Sequence, residues 1–225
     1  MSAALKDTTY IWQIITHLGS SSLMLPILAI TVTGLLLSHQ KRAVGVWLLT
    51  LTLAIMITLI TKIAFIGWGI GIASLKFTGI SGHTLLAMSV LPVLFGWLMA
   101  RDENCLRFTG IYFGLLIGTS VGISRVVLGV HSISEVLAAW LIGLIVSWVT
   151  LNALEKPIQR PSCVRLSPLL LLLAFNTTSS NYLPTHDWEI KVALFLSGHD
   201  RPYVRYSLMQ GQAIRSSPFD SSDTN

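Results

Sequence analysis

The chain has 225 residues, of which 52% are hydrophobic and only 11% charged. Soluble domains carry roughly a quarter charged residues, so this composition excludes an ordinary soluble enzyme and points to a single integral membrane domain. The formal net charge of +5 comes from basic residues scattered along the chain rather than gathered in a stripe, which excludes a nucleic-acid partner and leaves them as loop anchors.

The start, Met1-Ser2-Ala3-Ala4-Leu5-Lys6, lacks the dense basic region and small-residue cleavage site of a signal peptide. Tyr10–Leu18 is apolar on one side and fits a segment lying along the membrane interface. A spanning helix needs about 20 mostly apolar residues. Runs of this kind occur near Ser21–Leu37, Val44–Ile66, Thr84–Ala100, Thr109–Ile123 and Ile133–Leu151, with a shorter sixth near Val164–Phe175. After Asn176 the chain turns polar, and Ser216–Asn225 has the composition of disorder. The expected organisation is an interfacial segment at 1–20, a transmembrane domain at 21–175 and a polar, partly disordered tail at 176–225. The expected fold class is all-α, a polytopic helical membrane bundle of about six spans. Cys105 and Cys163 are too far apart for a metal or redox motif. Asn176-Thr177-Thr178 is a formal glycosylation sequon.

Positive residues favour cytoplasmic loops. Lys41 and Arg42 lie between the first and second runs, Arg101 and Arg107 between the third and fourth, and Lys156, Arg160 and Arg165 after the fifth. These loops alternate so as to share one face, which also keeps both thiols reduced and argues against a disulfide. By elimination Lys62, Lys76, Ser81, His83, Arg125 and His131 fall at the opposite, external face, and the amino terminus lies outside. The basic loops alone define this topology, and it gathers the motif residues on one side. Ionisable groups at membrane depth are costly and usually functional.

Ser81-Gly82-His83 opens the third run, and Ser124, Arg125, His131 and Glu135 lead into the fifth. If the helix has begun by His131, Glu135 lies one turn beyond it on the same face. A carboxylate there accepts the proton of one imidazole nitrogen, fixes the tautomer and leaves the other nitrogen as a nucleophile. Arg125 offers a planar fork suited to phosphate oxygens. Ser81 and the Gly82 amide sit where a helix starts, and helix amino termini bind anions. His83 can protonate a leaving oxygen, and Lys62 is a second cation near the external end of the second run. Each residue also has a plainer reading: interfacial histidines satisfied by backbone, snorkelling anchors at Arg125 and Lys62, and a capping carboxylate at Glu135.

These residues resemble the motifs of the type 2 phosphatidic acid phosphatase superfamily, which also contains bacterial acid phosphatases and vanadium haloperoxidases. Its three motifs are K-x6-R-P, P-S-G-H and S-R-x5-H-x3-D. The third matches from Ser124-Arg125 through His131, with Glu135 at the Asp position. The second matches as Ser81-Gly82-His83, with Ile80 for Pro. The first matches at Lys62 alone, with Gly69-Ile70 where the family has Arg-Pro. The resemblance, covering roughly Thr58 to Val149, implies a metal-independent phosphatase with no cofactor. His131 would form a phosphohistidine, His83 would protonate the leaving group and Glu135 would orient His131. Lys62, Arg125, Ser81, the Gly82 amide and Ser124 would form the phosphate site. In the tail, Arg201 is a candidate replacement for the absent first-motif arginine.

The expected partners are membrane lipids and a lipid phosphate or diphosphate substrate, at the periplasmic face of a bacterial inner membrane. Two other readings remain. A degenerate relative would bind a lipid phosphate or partner protein without hydrolysis. A rhomboid-like protease would use Gly79-Ile80-Ser81-Gly82, but the first two spans lack a histidine and Arg125 and Glu135 would be unexplained.

Overall fold

The computed structural model describes residues 3–99, 104–155 and 185–205. The sixth apolar run (Val164–Phe175), Arg101, Lys156, Arg160, Cys163, Arg165, Asn176 and Ser216–Asn225 lie outside the described residues. Among the described residues the chain is all-helical: α1 (Ala3–His17), α2 (Ser21–Leu37), α3 (Lys41–Trp68), α4 (Gly82–Leu98), α5 (Asn104–Val127), α6 (Ile133–Ala153) and α7 (Thr185–Ser197), with one 3-10 turn at Ala73–Leu75. Among the described residues four stretches are long and apolar enough to cross a membrane: Thr9–Leu37, Lys41–Trp68, Leu106–Val127 and Ile133–Ala153. Gly82–Leu98 is apolar but shorter. The five clear apolar runs of the sequence thus fall on α2 to α6.

The chain divides into two compact units, Met1–Ile55 with Ser81–Leu183, and Met56–Ile80 with Pro184–Asn225. In the first unit α4 is the centre, buried along nearly its whole length. Lipid tails are as apolar as leucine, so membrane helices associate through close packing at small residues. Helix α5 carries such a stripe, Gly110, Gly114, Gly118 and Gly122. A Cβ at Gly114 would lie 2.6 Å from the Leu91 backbone, and one at Gly118 would lie 2.6 Å from Met88 Sδ. Following the stripe upward, Gly122 meets Thr84 in the first turn of α4. The stripe therefore packs α4 and α5 antiparallel and brings the last turn of α5 to the first turn of α4.

The other end of this unit is closed by polar contacts. The Gln40 side chain donates to Glu155 O at 3.0 Å and accepts from the Glu155 amide at 2.8 Å. Arg107 Nη2 donates to Leu151 O at 2.7 Å, capping a carbonyl at the end of α6. On the outside, Thr119, Gly122, Val126, Ile133, Val136 and Trp140 are among the residues lining an apolar groove of about 370 Å³ between α5 and α6.

The second unit has a small core of Phe65, Ile66 and Ala193, with Ile63, Ile190 and Tyr203 packed against it. Gly67 permits the approach of α7, since a Cβ there would lie 3.1 Å from Ala193 O. The Tyr203 amide donates to Ile66 O at 3.0 Å, and His199 Nδ1 lies 2.7 Å from Gly67 O.

Candidate active site

The five-residue gap between Arg125 and His131 is the length of one helix closure. Helix α5 ends at Val127, and Gly129 follows at φ +69, a left-handed conformation that favours glycine. The Gly129 amide donates to Val126 O at 3.0 Å and the Val130 amide to Arg125 O at 3.1 Å, the paired bonds of a Schellman motif. The His131 amide also donates to Arg125 O, at 3.2 Å. Arg125 and His131 are thereby joined through the backbone at a fixed turn.

Helix α6 begins two residues later, at Ile133, so His131 precedes the helix rather than lying in its first turn. The expected link to Glu135 nevertheless forms: His131 Nδ1 lies 2.8 Å from Glu135 Oε2. The same Oε2 accepts the Ser132 amide at 3.0 Å, and the Glu135 amide donates to Ser132 Oγ at 3.4 Å, completing a capping box. A capping box uses Glu or Gln at its third helical position because the longer arm reaches back to the N-cap amide. That is a physical reason for Glu135 where the family pattern has Asp. Glu135 is fully buried and the His131 side chain is 15% exposed. An ionised carboxylate is an acceptor only, and with Glu135 in that form the proton sits on Nδ1 and the lone pair on Nε2.

Ser81 is the N-cap of α4 and is fully buried. Its amide donates to Glu135 O at 3.4 Å, which ties the start of α4 to the start of α6. Its hydroxyl pairs with Thr84 Oγ1 at 3.1 Å. The Gly82, His83 and Thr84 amides lie in the first turn of α4, at the positive end of the helix dipole. His83 is half-buried on this turn. Ser124 is fully buried and donates to Val121 O at 2.6 Å, so its hydroxyl is a structural contact inside α5.

Arg125 is half-buried in the last turn of α5. Its Nη1 donates to Thr16 Oγ1 at 3.1 Å, and its buried Nε has no hydrogen-bond partner among the described residues. Lys62–Glu189 and His131–Glu135 are ion pairs among those residues, and no carboxylate among the described residues is paired with Arg125. Thr16 carries no motif, so sequence reading had no signal for it. Among the described residues no group of three or more His, Cys, Asp or Glu is placed to hold a metal ion.

Lys62 belongs to the second unit, where its Nζ pairs with Glu189 Oε1 of α7 at 2.8 Å and its side chain packs on Gly79. Gly69 stands at the position of the first-motif arginine, with φ +70, and a Cβ there would lie 2.9 Å from the Tyr203 ring. Tyr203 thus occupies the space that a side chain at 69 would enter. Arg201 is exposed, while Arg205 Nη2 donates to Thr78 Oγ1 at 3.2 Å. Gly69→Arg is expected to lower stability by about 1–3 kcal/mol, because it combines a left-handed backbone with a clash. A thermal melt beside an activity assay checks this. A stable variant with higher turnover would show that position 69 tolerates the arginine.

The family model of the PAP2 superfamily matches residues 68–159. The chain is also similar to an uncharacterized 22.5 kDa protein in a cps region of Klebsiella pneumoniae, with 33% identity over 208 residues, 88% of this chain and 97% of that protein. No solved structure matches the chain.

Proposed function

The chain belongs to the PAP2 superfamily, and from that premise we propose that it is a membrane phosphatase hydrolysing a lipid-linked phosphate or diphosphate through a phosphohistidine, without a metal. The observation that carries this reading is the His131–Glu135 pair at 2.8 Å, in which Nδ1 of the imidazole faces a fully buried carboxylate. In the first step His131 Nε2 attacks phosphorus while the bond to the leaving oxygen breaks, and His83 gives that oxygen a proton. In the second, His83 takes a proton from water, the water oxygen attacks phosphorus, and the phosphorus–nitrogen bond breaks to release phosphate. The Arg125 guanidinium and the Ser81–His83 turn oppose the charge that gathers on the phosphoryl oxygens. Lys62 is assigned to the phosphate on its place in the first motif.

The lipid class is supported by the apolar groove between α5 and α6, whose residues Val126 and Ile133 are sequence neighbours of Arg125 and Ser132. The arrangement of basic loops supports a site on the external face, which in a bacterium is the periplasmic side of the inner membrane.

The test is phosphate release by the purified full chain in detergent with EDTA. Its substrates are phosphatidic acid, phosphatidylglycerol phosphate, undecaprenyl diphosphate and lipid A phosphate. Release from at least one of them is expected, and Arg125→Ala should lower turnover by about 10²–10³-fold, the scale of one lost oxyanion donor. No release by folded protein from any of the four would favour the binding-only reading. Activity lost to EDTA would remove the metal-independent mechanism.

A further inference from the structure

We propose that Thr16 is a positioning residue for Arg125, and that the α1–α2 corner is a further segment of the phosphate site beside the second and third motifs. The proposal rests on reading Arg125 as a phosphate-binding cation. Thr16 is the second-last residue of α1, and its Oγ1 accepts the Arg125 Nη1 hydrogen bond at 3.1 Å. An arginine has five donors in a rigid plane, so one fixed acceptor on an Nη sets where the remaining edge points. The acceptor is a neutral hydroxyl, which orients the guanidinium without cancelling its charge. Arg107, near the other end of α5, shows the contrasting arrangement: its bond goes to the Leu151 carbonyl at a helix carboxyl end, where the dipole is negative.

A second contact holds the corner in place. The Gly19 amide donates to Thr16 O at 3.1 Å and the Ser20 amide to His17 O at 3.0 Å, closing a tight turn in which Ser20 Oγ lies 3.4 Å from His17 Nδ1. Gly19 is buried against both motif helices. A Cβ on it would lie 2.5 Å from Val121 Cγ1, one turn before Arg125, and 3.0 Å from His83 O. The corner therefore touches the second motif through its backbone and the third through a hydrogen bond. It fixes the Thr16 hydroxyl relative to both.

The experiment compares wild type with Thr16→Val, which keeps the shape, and Thr16→Ser, which keeps the hydroxyl. Each is made also in an Arg125→Ala background. Two quantities are read on folded full-length protein, kcat/KM for phosphate release and the Kd of inorganic orthovanadate. Thr16→Val is expected to weaken both by about tenfold or more, the scale of a hydrogen bond to a charged group. Thr16→Ser should restore most of the loss. In the Arg125→Ala background Thr16→Val should change neither, since residues acting through one another are not additive. A Thr16→Val protein equal to wild type in both readouts overturns the proposal, and so does an undiminished effect in the Arg125→Ala background. Wild type that binds orthovanadate but releases no phosphate would sink the hydrolase reading alone. The Kd series then still decides the role of Thr16. Folded wild type that does neither overturns both.

Discussion

His131→Ala is expected to abolish phosphate release, with a fall of at least ~10⁴-fold in turnover, because loss of a nucleophile removes the covalent route itself. The variant should fold. His131 lies before α6, its side chain is partly exposed, and the Ser132–Glu135 capping box does not depend on the imidazole. A brief incubation with radiolabelled substrate should leave phosphate on the wild-type protein and none on the variant. Turnover within tenfold of wild type would exclude His131 as the nucleophile and return both histidines to the plainer interfacial reading.

Glu135→Gln is expected to be nearly as damaging, with a loss of about 10²–10⁴-fold in kcat. Losing the carboxylate of a catalytic histidine pair costs up to about 10⁴ in other enzymes. The amide preserves shape and can still accept the Ser132 amide. It has no negative charge to favour a proton on Nδ1 or to oppose the positive charge that develops on the ring. Glu135→Asp separates the two roles. It keeps the charge but shortens the reach, so its main effect should be the loss of the cap, about 0.5–2 kcal/mol of stability. Measuring kcat and melting temperature for both variants checks this. A Gln variant with near-normal kcat would make Glu135 a cap and nothing more.

The transmembrane helices were legible because apolar length is written in consecutive residues. Ser21–Leu37 coincides with α2, and Ile133–Leu151 falls within α6. The antiparallel placement of α4 against α5 also has a sequence signal, the glycine at every fourth residue from Gly110 to Gly122. The pairing of His131 with Glu135 was also legible, although its basis differs from the expected one. The spacing reflects a helix closure and a capping box rather than two residues on one helical turn.

The contacts of Lys62 and Gly69 could not be read from local sequence. Glu189 and Tyr203 are more than a hundred residues away along the chain, on a segment that reads as a polar tail. Its helix α7 mixes charged and apolar residues without a strong period, so it packs through tertiary context rather than pattern. Thr16 was hidden for a related reason. A lone threonine in an apolar run acquires meaning only when α1 packs on α5 and brings it to Arg125.

The shared Glu135 oxygen also has a consequence for how the molecule comes into being. Helix nucleation is the unfavourable part of forming a helix, and here the oxygen that accepts the N-cap amide is also the one that meets His131 Nδ1. On the proposed mechanism, the turn that starts α6 and the turn that primes His131 are therefore one and the same.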